Sequence, residues 1–143
     1  MKKIFAILVI SLSALSFAKA DDRPVIFTQL PAAAQTFIND TYPDVKVSYA
    51  MVDDDLINPD YTVVLATGVK IQFSHNGSLE KIEAREGVPE SVVPVQILDY
   101  VKMYVPDAKV VEYEVGRFGY EVKLSNRMEL NFNRNFKISR FDD

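Results

Sequence analysis

Two stretches of the chain carry apolar residues at helical spacing, and each is followed by stretches in which apolar and polar residues alternate. In the first, Ala34, Phe37, Ile38 and Tyr42 fall on one stripe, as a period near 3.6 residues requires of a helix packed on one side. Pro31 stands near its start, where a missing N–H costs nothing, and Pro43 ends it. In the second, Val93, Ile97, Tyr100, Val101 and Tyr104 make an equivalent stripe. Pro94 sets the start of that helix, with Glu90 to Val93 as a tighter lead-in.

Period two takes over after each helix. Tyr61, Val63 and Leu65 point one way, and Thr62, Val64 and Ala66 the other. Val69, Ile71 and Phe73 alternate with Lys70, Gln72 and Ser74. Further on, Tyr120, Val122 and Leu124 alternate with Glu121, Lys123 and Ser125, then Met128, Leu130 and Phe132 with Glu129, Asn131 and Asn133. Thr67-Gly68, Asn126-Arg127 and Asn76-Gly77 are tight-turn signals between strands. Val45 to Val52 and Lys109 to Val115 supply a first strand after each helix.

The two series match residue for residue. At an offset of 59, Tyr61-Thr-Val-Val-Leu65 lies over Tyr120-Glu-Val-Lys-Leu124, Ile71 over Leu130, Phe73 over Phe132, Asn76 over Asn135, Leu79 over Ile138 and Ile82 over Phe141. Upstream, Leu30-Pro31 corresponds to Val88-Pro89 and Tyr42-Pro43-Asp44 to Val105-Pro106-Asp107. The second helical region is five residues longer and its following loop four shorter. The expected fold is therefore α+β, with duplicated modules of one helix and four antiparallel strands joined into one continuous sheet, both helices on one face. The expected boundaries are a signal peptide over 1–20, a linker over 21–28, a first repeat over 29–86 and a second over 87–143. Such a sheet buries one face and leaves the other polar.

Residues 1–20 open with Lys2 and Lys3, continue with an apolar run from Ile4 to Leu15, and end in Ala18-Lys19-Ala20. That is the pattern of a secretory signal, and its apolar run is too short for a bilayer span. No cysteine follows it, so no lipid anchor is expected, and the destination is the periplasm or the exterior. Cleavage would remove three lysines and no acid, leaving 13 bases against 20 acids, a net charge of −7 in place of −4. An acidic protein of this kind repels nucleic acid and anionic membranes. With no cysteine in the chain, packing alone must hold the exported fold.

Catalytic and metal chemistry find few candidates. His75 is the one histidine, just before a turn and without a nucleophile motif. Asp53, Asp54 and Asp55, with Asn58 and Asp60, concentrate oxygen ligands of the kind calcium takes, at a spacing unlike an EF-hand loop. The metal alternative is thus confined to Asp53, Asp55 and Asp60, and no cofactor is expected. Glu80, Glu83 and Glu86, mixed with Lys81 and Arg85, read as a solvated strand edge and linker, and Glu112, Glu114 and Glu121 are similarly mixed with lysine. The remaining candidate is the exposed sheet face, carrying Thr62, Val64, Lys70, Gln72, Glu121, Lys123, Glu129 and Asn131. Tyr49, Tyr113, Phe118 and Phe136 are aromatics whose burial the pattern leaves open, and Tyr49 matches Tyr113 only across a one-residue bulge.

Leu30-Pro31, the helix ending at Tyr42-Pro43, Tyr61-x-Val-x-Leu65, Gly68-x-x-Ile71-x-Phe73 and Asn76-Gly77 resemble the PepSY-like family, also described as beta-lactamase-inhibitor-protein-like and common among exported proteins of Bacteroidetes. Val88-Pro89, Val105-Pro106, Tyr120-x-Val-x-Leu124 and Leu130-x-Phe132 repeat those features, so the resemblance covers the chain after Phe27. It implies helices backing a continuous sheet and a role in binding or inhibiting a protein or peptide through the sheet face, with no catalytic motif. The expected function is an exported, non-catalytic binding module, with a calcium or small-ligand sensor at loop 53–60 as the alternative.

Overall fold

The computed structural model describes residues 22–53 and 57–142, the last three for their backbone alone; the expected signal peptide over 1–20 and the residues Asp54 and Asp55 lie outside this range. One sheet of nine antiparallel strands holds the molecule together, and its order in space is its order in sequence. The strands are β1 (Asp22–Val25), β2 (Val47–Asp53), β3 (Tyr61–Leu65), β4 (Lys70–Phe73), β5 (Leu79–Glu83), β6 (Val110–Val115), β7 (Gly119–Leu124), β8 (Glu129–Asn133) and β9 (Ile138–Asp142). Helix α1 (Ala32–Thr41) lies between β1 and β2, and α2 (Val95–Tyr104) between β5 and β6.

Within the stretch 21–28, expected as a linker, Asp22–Val25 forms an edge strand of the sheet. Asp22 pairs with Asp53 and Val25 with Ala50, and a 3-10 turn over Phe27–Gln29 follows. Pattern could not reveal this strand: it is four residues long and contains Pro24, which a sheet tolerates at an edge.

Both helices run for ten residues from a proline, Pro31 or Pro94. The five extra residues of the second half therefore all precede Pro94, in the lead-in. Each helix ends with a non-helical residue whose N–H still reaches back four positions, Tyr42 to Ile38 at 2.8 Å and Val105 to Val101 at 2.7 Å.

Cross-strand partners share a face of the sheet, so the register Ile71–Ile82–Tyr113–Val122–Leu130 defines one buried row across β4 to β8. Onto it pack Ala34 and Ile38 of α1 and Ile97 and Val101 of α2, in one continuous apolar cluster. Phe37 meets Phe73 edge-on at 5.6 Å, and Tyr100 meets Phe132 the same way at 5.3 Å. These contacts seat both helices on the same side. Each fully buried Val, Leu, Ile or Phe there contributes about 1.5–3 kcal/mol. β2 bulges between Val47 and Tyr49, and β6 between Val110 and Glu112. After these equivalent bulges Tyr49 lies on the outer face, 53 % exposed, while Tyr113, one register position further on, falls inward at 4 %. The counterpart of Tyr113 by register is thus Ala50, not Tyr49.

Gly77 closes the β4–β5 turn at φ +89°, directly beneath the start of α1; an added Cβ would come within 2.9 Å of the Ala34 nitrogen and 3.0 Å of Pro31 and Ala33. Gly68 has a similar φ of +93° with open space around it. Gly77→Ala should therefore destabilise the fold by about 1–3 kcal/mol, combining backbone strain with displacement of α1. Gly68→Ala should cost only the strain, about 1–2 kcal/mol. Urea unfolding of the two variants compares them, and equal losses would show that α1 does not rest on Gly77.

Candidate functional site

No element lies over the second face of the sheet among the described residues. The eight residues expected on it are all there, because register sets them in two parallel rows. The upper row runs Thr62, Gln72, Lys81, Glu114, Glu121, Asn131, and the lower row Val64, Lys70, Glu83, Glu112, Lys123, Glu129. Of the eight, Lys70 is exposed and the other seven are half-buried by their neighbours. Lys81, Glu83, Glu112 and Glu114, read from sequence as mixed solvated charges, stand at the centre of this face. Nothing local could have placed them, since their position depends on β5 pairing with β6.

The lower row is held by a chain of ion pairs. Lys70 reaches Glu83 at 4.0 Å; Lys81 reaches Glu83 at 3.8 Å and Glu112 at 3.9 Å; Lys123 reaches Glu112 at 3.7 Å and Glu129 at 3.4 Å. Glu83 and Glu112 face each other directly across the β5–β6 pairing, an arrangement that destabilises a sheet when unrelieved. Lys81 relieves it by touching both. Lys123, between Glu112 and Glu129, is held above the ordinary lysine range by those two carboxylates.

The upper row is different. Glu114 and Glu121 are directly opposed. The Glu121 carboxyl is raised above the usual range by partial burial, then by Glu114 and Glu129, with Lys123 and Lys81 opposing. Glu80 is the extra residue of the β5 bulge, between Leu79 and Lys81. Partial burial raises its carboxyl as well, and Asp60, through both charge and a hydrogen bond, and Glu114 add to the effect. The top of the face is thus acidic, and the bottom is balanced.

Three of the hollows that border the sheet among the described residues bear on this face. Asp22, Tyr49, Asp53, Asp60, Gln72 and Glu80 line one of about 350 Å³ at the upper β1–β5 corner. Glu114, Arg117, Phe118, Glu121 and Asn131 line one of about 280 Å³ beside the β6–β7 turn. The largest, about 760 Å³, sits at the lower end between the β3–β4 turn and residues 83–89, with Val69, Ala84, Pro89 and Val111 in its wall. Tyr42 also lines it; burial raises its phenol, whose oxygen is enclosed without a hydrogen-bond partner. Asp53 and Asp60 of the metal alternative both line the first hollow and are joined through backbone, Asp53 N–H donating to the Asp60 carbonyl at 2.8 Å. Among the described residues no three metal-binding side chains converge.

The aromatics separate cleanly. Phe118 is 81 % exposed at the β6–β7 turn, whereas Tyr113, Tyr120 and Phe136 stack in series on the helix side, at 6.3 and 5.0 Å. Burial and the neighbouring Tyr120 push the Tyr113 phenol up to about 12. His75 is an exposed turn residue.

The raised carboxyls carry a consequence for stability. A carboxyl that ionises less readily in the folded chain costs stability above its folded pKa, and that cost is withdrawn as pH falls toward the unfolded value. Glu80→Gln and Glu121→Gln should therefore each stabilise the protein at pH 7, by less than about 1 kcal/mol because solvent screens both sites. The gain should vanish once the pH is below 4.5, the ordinary glutamate value. Thermal melts at pH 7 and pH 4 test the sign.

A family model provisionally described as beta-lactamase-inhibitor-like and PepSY-like matches residues 59–140, from the approach to β3 into β9. No curated protein matches the chain. Among solved structures, a Bacteroides thetaiotaomicron protein provisionally described as calcium-regulated and periplasmic is 38% identical, with a TM-score of 0.83 over 86% of this chain and 98% of its own. A Bacteroides vulgatus protein of the DUF2874 family, provisionally described as periplasmic, is 37% identical, at 0.83 over 88% and 100%. Another from Bacteroides vulgatus, of unknown function, is 30% identical, at 0.81 over 85% and 99%. All three are described as periplasmic, a location this chain shares. On the family match and these full-length likenesses, the chain belongs to the PepSY-like family of periplasmic proteins.

Proposed function

We propose that this protein is a non-catalytic binding module that docks a protein or peptide on its open sheet face, restraining or modulating an envelope or secreted partner. The observation that carries the reading is the face itself: a broad surface that no described element covers, whose lysines and glutamates are already fixed by mutual contact. Side chains ordered before binding lose little freedom on binding, so less of the interaction energy is spent on ordering them. The family's inhibitor-like description agrees with this use of the face. Thr62, Val64, Lys70, Gln72, Glu121, Lys123, Glu129 and Asn131 are its contact residues.

The same reading treats the two halves as copies of one helix-and-four-strand module. Its support is the recurrence of the bulge, the Pro-started helix and the edge-on aromatic pair at offsets of 63 and 59. Duplication accounts for how one module's edge comes to fit the next.

A second reading makes loop 53–60 a calcium or small-ligand sensor. It is favoured by the calcium-regulated description of the 38%-identical neighbour and by Asp53, Asp60 and Glu80 bordering one hollow. Asp55, the third residue of that reading, lies outside the described residues.

Capture from an envelope fraction separates the readings. The wild-type protein should retain a partner that Lys70→Glu/Lys123→Glu loses at least tenfold and that Lys102→Glu, on the exposed side of α2, keeps. Equal loss in all variants, or capture of nothing specific, counts against docking on this face. Millimolar calcium should leave the melting temperature unchanged under docking; under the sensor reading it should raise it, and Asp60→Asn should remove the rise.

A further inference from the structure

The two edges of the sheet are not alike, and the internal equivalence of the halves says what each would accept. At the offset of 59, β9 is the counterpart of β5; at 63, β2 is the counterpart of β6. Inside the molecule β5 and β6 pair, through Lys81↔Glu114, Ile82↔Tyr113 and Glu83↔Glu112. The corresponding free edge of β9 is thus complementary, in register, to the edge of β2 at Tyr49, Ala50 and Met51. That edge is already taken: β1 pairs Val25 with Ala50 and Pro24 with Met51.

From this we infer that β1 is a cap, filling on β2 the place that β9 of a second copy would otherwise take, and so keeping the chain from joining head to tail. The inference rests on reading the halves as copies, but not on what the open face binds. The geometry of assembly makes the cap necessary. Joining β9 of one copy to β2 of the next is a heterologous contact, which adds copy after copy into a filament unless the rotation closes it into a ring. An exposed strand edge is a template for such pairing. β1 removes that edge and does not replace it with an equivalent one, because it is only four residues long and Pro24 lacks an N–H. The complementary β9 edge then has nothing to meet. β1 is easily displaced in principle, being joined to the rest of the sheet through β2 alone.

The test uses the full chain with β1 detached. Val25 is half-buried on the core side beside Ala50, so Val25→Asp should expel the strand, since an unpaired carboxylate is costly there. Sedimentation velocity should show the wild-type protein as a monomer and Val25→Asp as a concentration-dependent series of oligomers. Phe141→Pro should return Val25→Asp to a monomer. Residue 141 is the counterpart of Ile82, two residues before Ala84, whose N–H points across to Val111 at 2.8 Å; proline at 141 therefore removes a donor facing away from β8. A chain deleted for residues 22–25 provides a second route, with monomer restored by adding a peptide of the β1 sequence. A folded Val25→Asp protein that stays monomeric overturns the inference, and so do oligomers that Phe141→Pro leaves intact. Loss of the fold in both β1 variants also overturns it, because β1 would then be part of the core and not a cap.

Discussion

The pairing of β5 with β6 is the constraint on which the rest depends. Three register pairs, centred on Ile82 and Tyr113, turn two small helix-backed sheets into one. Without it each half would present two raw edges and a core of one helix on five strands or four, and a unit of that size is marginal, because a small domain buries a smaller share of its surface. With it, Ile71, Ile82, Tyr113, Val122 and Leu130 form a single buried row, and the helices share one apolar cluster. The same pairing brings Glu83 opposite Glu112 on the other face, so continuity of the core creates an electrostatic problem that Lys81 solves.

That trade explains the character of the open face. Its ion pairs lie between 3.4 and 4.0 Å, with lysines that keep 30 to 45 % exposure. Pairs so exposed contribute little stability, about 0–1 kcal/mol each. The lattice does something else: it holds side chains in fixed places across several strands. A surface made for solubility alone needs charge but not order. Here the order extends from Lys70 on β4 to Glu129 on β8, which is more than relief of one glutamate pair requires.

Much of the fold is legible in the chain because it rests on local rules. The inward residues Val63, Leu65, Ile71 and Phe73 and their counterparts Val122, Leu124, Leu130 and Phe132 alternate cleanly, and all are buried. Helix starts follow from Pro31 and Pro94. The eight face residues follow from the same alternation taken in antiphase. What escapes is non-local or irregular. β1 is too short and too polar to show a period, and only its pairing with β2 makes it a strand. Lys81, Glu83, Glu112 and Glu114 look like ordinary surface charge until β5 and β6 are set side by side. Glu80 escapes because a bulge breaks the period where it turns toward Asp60, and Tyr49 and Tyr113 sit one position apart in register, on opposite faces, because the bulge is present in both β2 and β6.

The two halves also fill matching places in the sheet in different ways. Gly77 lets α1 rest directly on the turn below it; the counterpart is Phe136, a non-glycine residue at φ +63°. A bulky side chain in that region is a genuine outlier and persists only where surrounding contacts outweigh the strain. Those contacts are present: Phe136 stacks on Tyr120 at 5.0 Å, and Tyr120 on Tyr113, where the first half has Ala50 in the position of Tyr113. The five extra residues before α2 fit this exchange, since a helix start can no longer sit on a turn that carries a phenyl ring. One half brings backbone close at this place, and the other stacks rings. The open face is indifferent to the choice, because every one of these changes is made on the helix side. That separation lets the core of each half be packed differently while the two rows of surface residues keep their register.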